Sequence, residues 1–193
     1  MVLDFDAVAG YLKSRIPFDG PYTLTMDRTN WKFGDVNINV LVLGIAYDHM
    51  SFPILFRLLP KRENSNFKER INIMERFIRL FGRDSIKCLV ADREFAGNVW
   101  FKWLNDYAIQ YHIRIYRVCG ELCYLAGAVI KDKTGKHEPQ ILVSFCRPEE
   151  ALVDYKERWT IETMFKGLNF IADTFFNPFR PTKINVFVIL SCI

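Results

Sequence analysis

Apolar and polar residues alternate through Tyr22–Arg28 (YTLTMDR), the pattern of a strand with one buried face. After Gly34-Asp35 the run VNINVLVLGIAY is β-branched and apolar, which predicts a strand buried on much of both faces. Asp48-His49 marks a turn, and FPILFRLL follows as a third strand. Three strands joined by tight turns form an antiparallel meander. The period then changes. Ile71, Met74, Phe77, Ile78 and Phe81 recur at helical spacing, with Ser65 or Asn66 placed to cap the helix and Gly82 to close it. Ile86–Ala91 reads as a short buried strand, and residues 95–107 as a helix with Phe95, Val99, Trp103 and Leu104 on one side. IQYHIRIY is a further strand, and LCYLAGAVI and PQILVSF flank the turn KDKTGK as a hairpin. A long final helix follows, with Pro148 suited to its first turn. A short helix from about Phe5 to Arg15 opens the chain and ends at the Pro-Phe-Asp-Gly-Pro turn.

The order is β-β-β-α-β-α-β, then a hairpin, then a helix. That describes an α/β protein with a ribonuclease-H-like mixed sheet: the antiparallel three-strand meander plus helix-linked strands, with a short β-hairpin insertion (about 119–146) before the last helix. In that layout the first strand is central and the fourth pairs beside it. Sites in open α/β sheets lie at the strand ends, so residues far apart in sequence converge there.

Three acids occupy such places. Asp27 lies on the first strand, Asp92 ends the fourth, and Glu162 lies on the final helix, spaced 65 and 70 residues apart. Tyr155, Arg158 and Glu162 stand at i, i+3 and i+7, one stripe of a continuous helix, and Lys166 and Asn169 extend it. A carboxylate cage of this kind suits Mg²⁺, which takes oxygen ligands from a few carboxylates and substrate phosphate. Two such ions about 4 Å apart activate an attacking hydroxyl and stabilise the leaving oxygen. Trp100, Trp103 and Trp159 are expected to be packing residues.

Composition narrows the alternatives. The chain has 193 residues, half of them apolar, enough for one domain with a sizeable core, and no low-complexity stretch suggests disorder. Net charge is +4, yet Arg57–Arg83 holds eight basic residues against three acids, a local excess that fits a polyanion. A solvated helix face explains it equally well. The five cysteines form no disulfide-framework spacing, and Cys119 with Cys123 finds no second pair to complete a metal set. The chain opens with no basic leader, so a reducing cytoplasm is expected. INVFVILSCI is too short to cross a membrane. His49, His112 and His137 are scattered, which speaks against a histidine-based hydrolase.

MDRTNW around Asp27, VADREF around Asp92 and Tyr155-x2-Arg158-x3-Glu162 together resemble the motifs of DDE transposases of bacterial insertion sequences. The resemblance is to the insertion-sequence-four type, marked by Tyr-x2-Arg-x3-Glu-x6-Lys, and runs from about Tyr22 to Asn169. It implies that Asp27, Asp92 and Glu162 are catalytic and bind two Mg²⁺, with Mn²⁺ as substitute. It implies that Tyr155 and Arg158 hold the DNA backbone, with Lys166 as a further DNA contact. The partners implied are insertion-sequence ends and target DNA, and self-association or pairing with a full-length transposase. The implied setting is the bacterial cytoplasm at the nucleoid. Three departures stand out: the signature lysine is Asn169, the segment between Asp92 and Glu162 is short, and Asp27 comes early. These predict a shortened copy. Residues 1–20 would be the remnant of an N-terminal region, 21–170 the catalytic domain and 171–193 a truncated tail. The alternatives are a non-catalytic remnant that binds DNA or transposase and inhibits transposition, or a nuclease of the same fold acting on RNA–DNA hybrids.

Overall fold

The computed structural model describes residues 4–33, 36–60, 63–114, 124–131, 135–145 and 147–175. Helix α1 (Phe5–Ser14) is capped by Asp4, whose carboxylate accepts from the amides of Asp6 and Ala7. Strands β1 (Tyr22–Phe33), β2 (Val36–Tyr47) and β3 (Met50–Leu59) follow, antiparallel as their alternation predicts. The β2–β3 turn rests on Asp48 and His49, both at positive φ. Helix α2 (Phe67–Phe81) opens on a capping box between Asn66 and Glu69. Strand β4 (Ile86–Ala91) then runs parallel to β1.

A single 3-10 turn (Arg93–Phe95) separates Asp92 from helix α3 (Asn98–Asp106), where the sequence predicted one helix from residue 95. Strand β5 (Tyr111–Arg114) pairs parallel with β4. The expected hairpin before the last helices is present as strands β6 (Tyr124–Lys131) and β7 (His137–Ser144). They extend the central sheet beyond β5, giving seven strands in the order β3-β2-β1-β4-β5-β7-β6. The expected meander and the central position of β1 are both present. Among the described residues no helix is long and apolar enough to cross a membrane.

Period-2 alternation divides the sheet into two working faces. Tyr22, Leu24 and Met26 of β1, Leu41, Leu43 and Ile45 of β2, and Leu89 and Ala91 of β4 join the main core, which α1, α2 and α3 cover through residues such as Ala9, Met74, Phe77 and Trp100. The odd positions of β1 and even positions of β2 and β4 face the other way. There Val40 and Val42 pack with Ile161, Met164 and Phe165.

Those last three residues belong to helix α5 (Arg158–Phe175), preceded by a separate α4 (Ala151–Lys156). The single long helix read from the sequence is therefore broken at Glu157, and residues 148–150 form a turn before it. The break leaves Tyr155 on one helix and Arg158 and Glu162 on the next. The stripe through all three is not that of a straight helix. The physical cause is tertiary. Asp154 is held by Lys87 of β4 and His112 of β5 at 2.7 and 3.3 Å, while α5 is drawn by its apolar face onto β2. Thr160 Oγ1 and the Thr160 amide both turn back to the Glu157 carbonyl, closing the corner.

Candidate metal and nucleic-acid site

The sheet register brings Asp27 and Asp92 together. Met26 pairs with Ala91 across the parallel β1–β4 ladder; Asp27 is the next residue on β1, and Asp92 follows the end of β4 as the cap of the 3-10 turn. Parallel neighbours in register point to the same face about 4.8 Å apart. Asp27 also pairs with Val42 on its other side, and Val42 lies under α5. Both acids thus emerge on the face that α5 covers. Each carboxylate accepts from the amide of the following arginine at 2.7 Å.

Glu162 approaches from above. Its neighbour in sequence, Ile161, is fully buried against the sheet, and its carboxylate meets Arg158 Nη1 at 2.9 Å. Arg158 is the hub of the cluster. Burial pulls its guanidinium down, but Tyr155, Asp92 and Glu162 together hold it above its ordinary value. It also acts on Asp27, where burial pushes the carboxyl up to about 6 against the Arg28 amide and Arg158, with Glu94 and Asp92 adding to the rise. Asp27, Asp92 and Glu162 are therefore all electrostatically tied to one arginine. Their oxygens are not closed into a cage: among the described residues the compact three-ligand group lies elsewhere.

The remaining expected residues fall as follows. Tyr155 is 2% exposed and packs with Leu142 and Ala151, so its ring does not face solvent as a DNA contact would. Arg158 lies over it at 5.6 Å and over Trp159 at 4.4 Å. Trp159 is not a core residue; it is 51% exposed and forms an open aromatic wall beside the cluster. Lys166 is exposed, one turn beyond Glu162. Asn169 lies within α5, with its side chain outside the described residues.

A brace links the strands that carry the first two acids. Arg28 reaches Glu94 at 3.4 Å, Asn39 at 3.3 Å and Asn64 at 2.9 Å. Buried Arg70 holds the same turn from beneath, donating to Ser65 and to the Glu94 carbonyl at 2.9 Å and lying 4.9 Å from the Phe95 ring. This explains part of the basic excess read in Arg57–Arg83. Arg70 is structural, Arg76 and Arg79 pair with Asp6 at 2.6 and 2.9 Å, and Arg83 donates to the carbonyls of Tyr107 and Ala108. Arg57 and Lys68 stay exposed, and Lys61 and Arg62 lie outside the described residues. The basic patch is thinner than the sequence suggests.

One cluster escaped the sequence reading. His112 does adjoin a thiol: Cys88, His112 and Asp154 place their ligand atoms within 4.8 Å of one another, all buried. The residues sit on β4, β5 and α4, so no local spacing signals them. Cys119, Cys123 and Cys146, the other thiols near this part of the chain, lie outside the described residues.

Residues 16–169 match the family model of the transposase DDE domain. No curated protein matches the chain. Among solved structures, the piggyBac transposase synaptic complex with hairpin DNA is similar at 12% identity and a TM-score of 0.46, over 79% of this chain and 40% of that one. The matched part of this chain thus covers less than half of that transposase chain.

Proposed function

The chain belongs to the transposase DDE-domain family, and we propose that it is a metal-dependent DNA strand-transferase domain of the insertion-sequence-four type. In this reading residues 21–170 are the catalytic unit. Asp27, Asp92 and Glu162 hold two Mg²⁺ or Mn²⁺ ions. The observation that carries it is the parallel pairing of Met26 with Ala91, the residues directly before Asp27 and Asp92, with both acids within the field of the arginine that pairs with Glu162. The donor set fits a hard divalent ion. It is all oxygen, and burial has left Asp27 short of positive charge. When bound, the ions supply the activated oxygen nucleophile and neutralise the leaving oxygen.

The chain's own groups bind and orient DNA. Arg158 carries a planar fork suited to a phosphate, but it is itself 6% exposed and paired with Glu162, so DNA reaches it only where that pair opens; Trp159 holds it from the side and Tyr155 from below. Tyr155 thus acts on DNA through Arg158. Lys166, exposed on the next turn, adds a point charge along the same backbone. The Arg28–Glu94 brace keeps the turn after Asp92 fixed to β1, which holds the two acids in register. Substrates in this reading are insertion-sequence ends and target DNA, and the setting is the bacterial nucleoid.

The non-catalytic reading, a remnant that inhibits transposition, draws support from Asn169 in the place of the signature lysine. Ligand-linked stability separates the two. Mn²⁺ at 100 times its Kd adds about 2.7 kcal/mol, or about 5–10 °C in Tm for a domain of this size. Wild type should show that rise and Asp92→Asn should not. A wild-type Tm that ignores saturating Mn²⁺ removes the metal site and leaves only binding.

A further inference from the structure

A second buried cluster lies on the same sheet face as the three acids, at the other end of β4. Cys88 is four residues before Asp92, about 13 Å along the strand. Cys88 Sγ stands 3.6 Å and His112 Nε2 3.3 Å from the same oxygen, Asp154 Oδ2. The other carboxylate oxygen is taken by Lys87 Nζ at 2.7 Å, so Oδ2 is left to the thiol and the imidazole. Cys88 and His112 are both fully buried, which excludes a nucleophile that must meet substrate.

Hydrogen bonding alone leaves this cluster in conflict. Arg147 donates twice to Gln110 Oε1, at 3.1 and 2.9 Å. That fixes the amide so that its Nε2, a donor, faces His112 Nε2 at 3.1 Å. The same His112 nitrogen faces the Asp154 carboxylate, an acceptor. Protonated, it clashes with the amide; unprotonated, its lone pair faces a carboxylate. His112 Nδ1 meanwhile is buried with no hydrogen-bond partner among the described residues. With Nε2 unprotonated the amide donates to it and the Cys88 thiol donates to Asp154 Oδ2, which still sets the Nε2 lone pair against the carboxylate at 3.3 Å, a costly contact in a buried polar network.

We infer that Cys88, His112 and Asp154 form a structural site for a thiophilic divalent ion of the zinc class, which fastens α4 to β4 and β5. Thiolate, imidazole and carboxylate are the ligands such an ion takes, with bonds of about 2.3 Å to sulfur and about 2.0 Å to nitrogen and oxygen. At tetrahedral angles those bonds place nitrogen and oxygen about 3.3 Å apart and sulfur and oxygen about 3.5 Å apart. Two of the three observed separations are 3.3 and 3.6 Å, and the third, sulfur to nitrogen, lies within 4.8 Å, where a bound ion would draw it to about 3.5 Å. The ion neutralises thiolate and carboxylate together, and Thr23 Oγ1, 3.7 Å from Sγ, is a further oxygen at hand. Because Asp154 directly precedes Tyr155, the ion sets the corner from which α5 carries Arg158 and Glu162.

Cobalt titration of the full chain tests this directly. Co²⁺ is expected to produce a thiolate-to-metal charge-transfer band that zinc displaces. The band should vanish in Cys88→Ala and need more than about 100-fold more Co²⁺ in His112→Gln. X-ray absorption of the zinc-loaded wild type, which needs no variant to fold, should show one sulfur and otherwise nitrogen or oxygen neighbours. The absence of a band, a band that survives Cys88→Ala, or a shell with no sulfur or several sulfurs overturns the site.

Discussion

Replacing Asp27 with Asn should make the metal-free protein more stable. Asp27 is ionised at pH 7 in both folded and unfolded chains, but burial raises its folded pKa from 3.8 to about 6. At 1.36 kcal/mol per pH unit, that gap corresponds to about 3 kcal/mol by which the charge opposes folding. The sign follows from proton counts. Between 3.8 and about 6 the folded state binds more protons than the unfolded one, so stability falls as pH rises through this window. Above it the cost is fully present, and below 3.8 it is gone. Asn cannot titrate and can still accept the Arg28 amide, though it forgoes attraction to Arg158. A net gain of about 2–3 kcal/mol at pH 7, or about 5–10 °C in Tm, is expected. The gain should shrink steadily toward pH 4. The assay is urea or thermal unfolding in chelator at pH 7 and pH 4.5. A variant no more stable than wild type at pH 7, or equally favoured at both pH values, refutes the reasoning. A gain would mean that the fold carries a charge against its own stability, as a cation-binding site requires.

Three further outcomes follow from the packing. Asn66→Ala removes the capping box of α2 and should cost about 1 kcal/mol in urea unfolding. Gly44→Ala places a Cβ 2.2 Å from Ser51 Oγ and 3.0 Å from Thr25 Oγ1; about 1–3 kcal/mol should be lost, with part regained in the double variant Gly44→Ala/Ser51→Gly. Arg158→Lys keeps the charge but not the fork or the stacking on Trp159; DNA nicking should fall by about 100-fold or more, and because Arg158 is buried and paired with Glu162, Tm should fall as well.

Much of the sheet was legible because its signals are local. The alternation of Tyr22–Arg28 and the apolar runs around Leu41–Ile45 and Leu89–Ala91 fix which residues face the main core, and that parity alone puts Asp27 and Asp92 on the opposite face. The caps at Asn66 and Gly82 are likewise written in neighbouring residues. What stayed hidden depends on contacts between distant segments. Nothing in DYKERWTIET breaks a helix, and the corner at Glu157 exists because Asp154 is tied to Lys87 and His112. The hairpin was visible as a hairpin, but its place beside β5 rests on the pairing of Ile113 with Val143, which no turn residue announces. The basic excess left two readings open because charge counts do not reveal that Arg76 and Arg79 pair with Asp6. Trp159 misled for a similar reason: helical spacing marks a face only when the helix is continuous.

Asp27, Asp92 and Glu162 are proposed to act as one metal-dependent DNA site. Its most direct test is the conversion of supercoiled plasmid to open circles by the full chain in Mn²⁺, beside Asp92→Ala prepared identically. Nicking by wild type that is lost in Asp92→Ala and in chelator is the predicted result. A folded wild type that leaves the plasmid intact, or nicking that persists in Asp92→Ala, contradicts it.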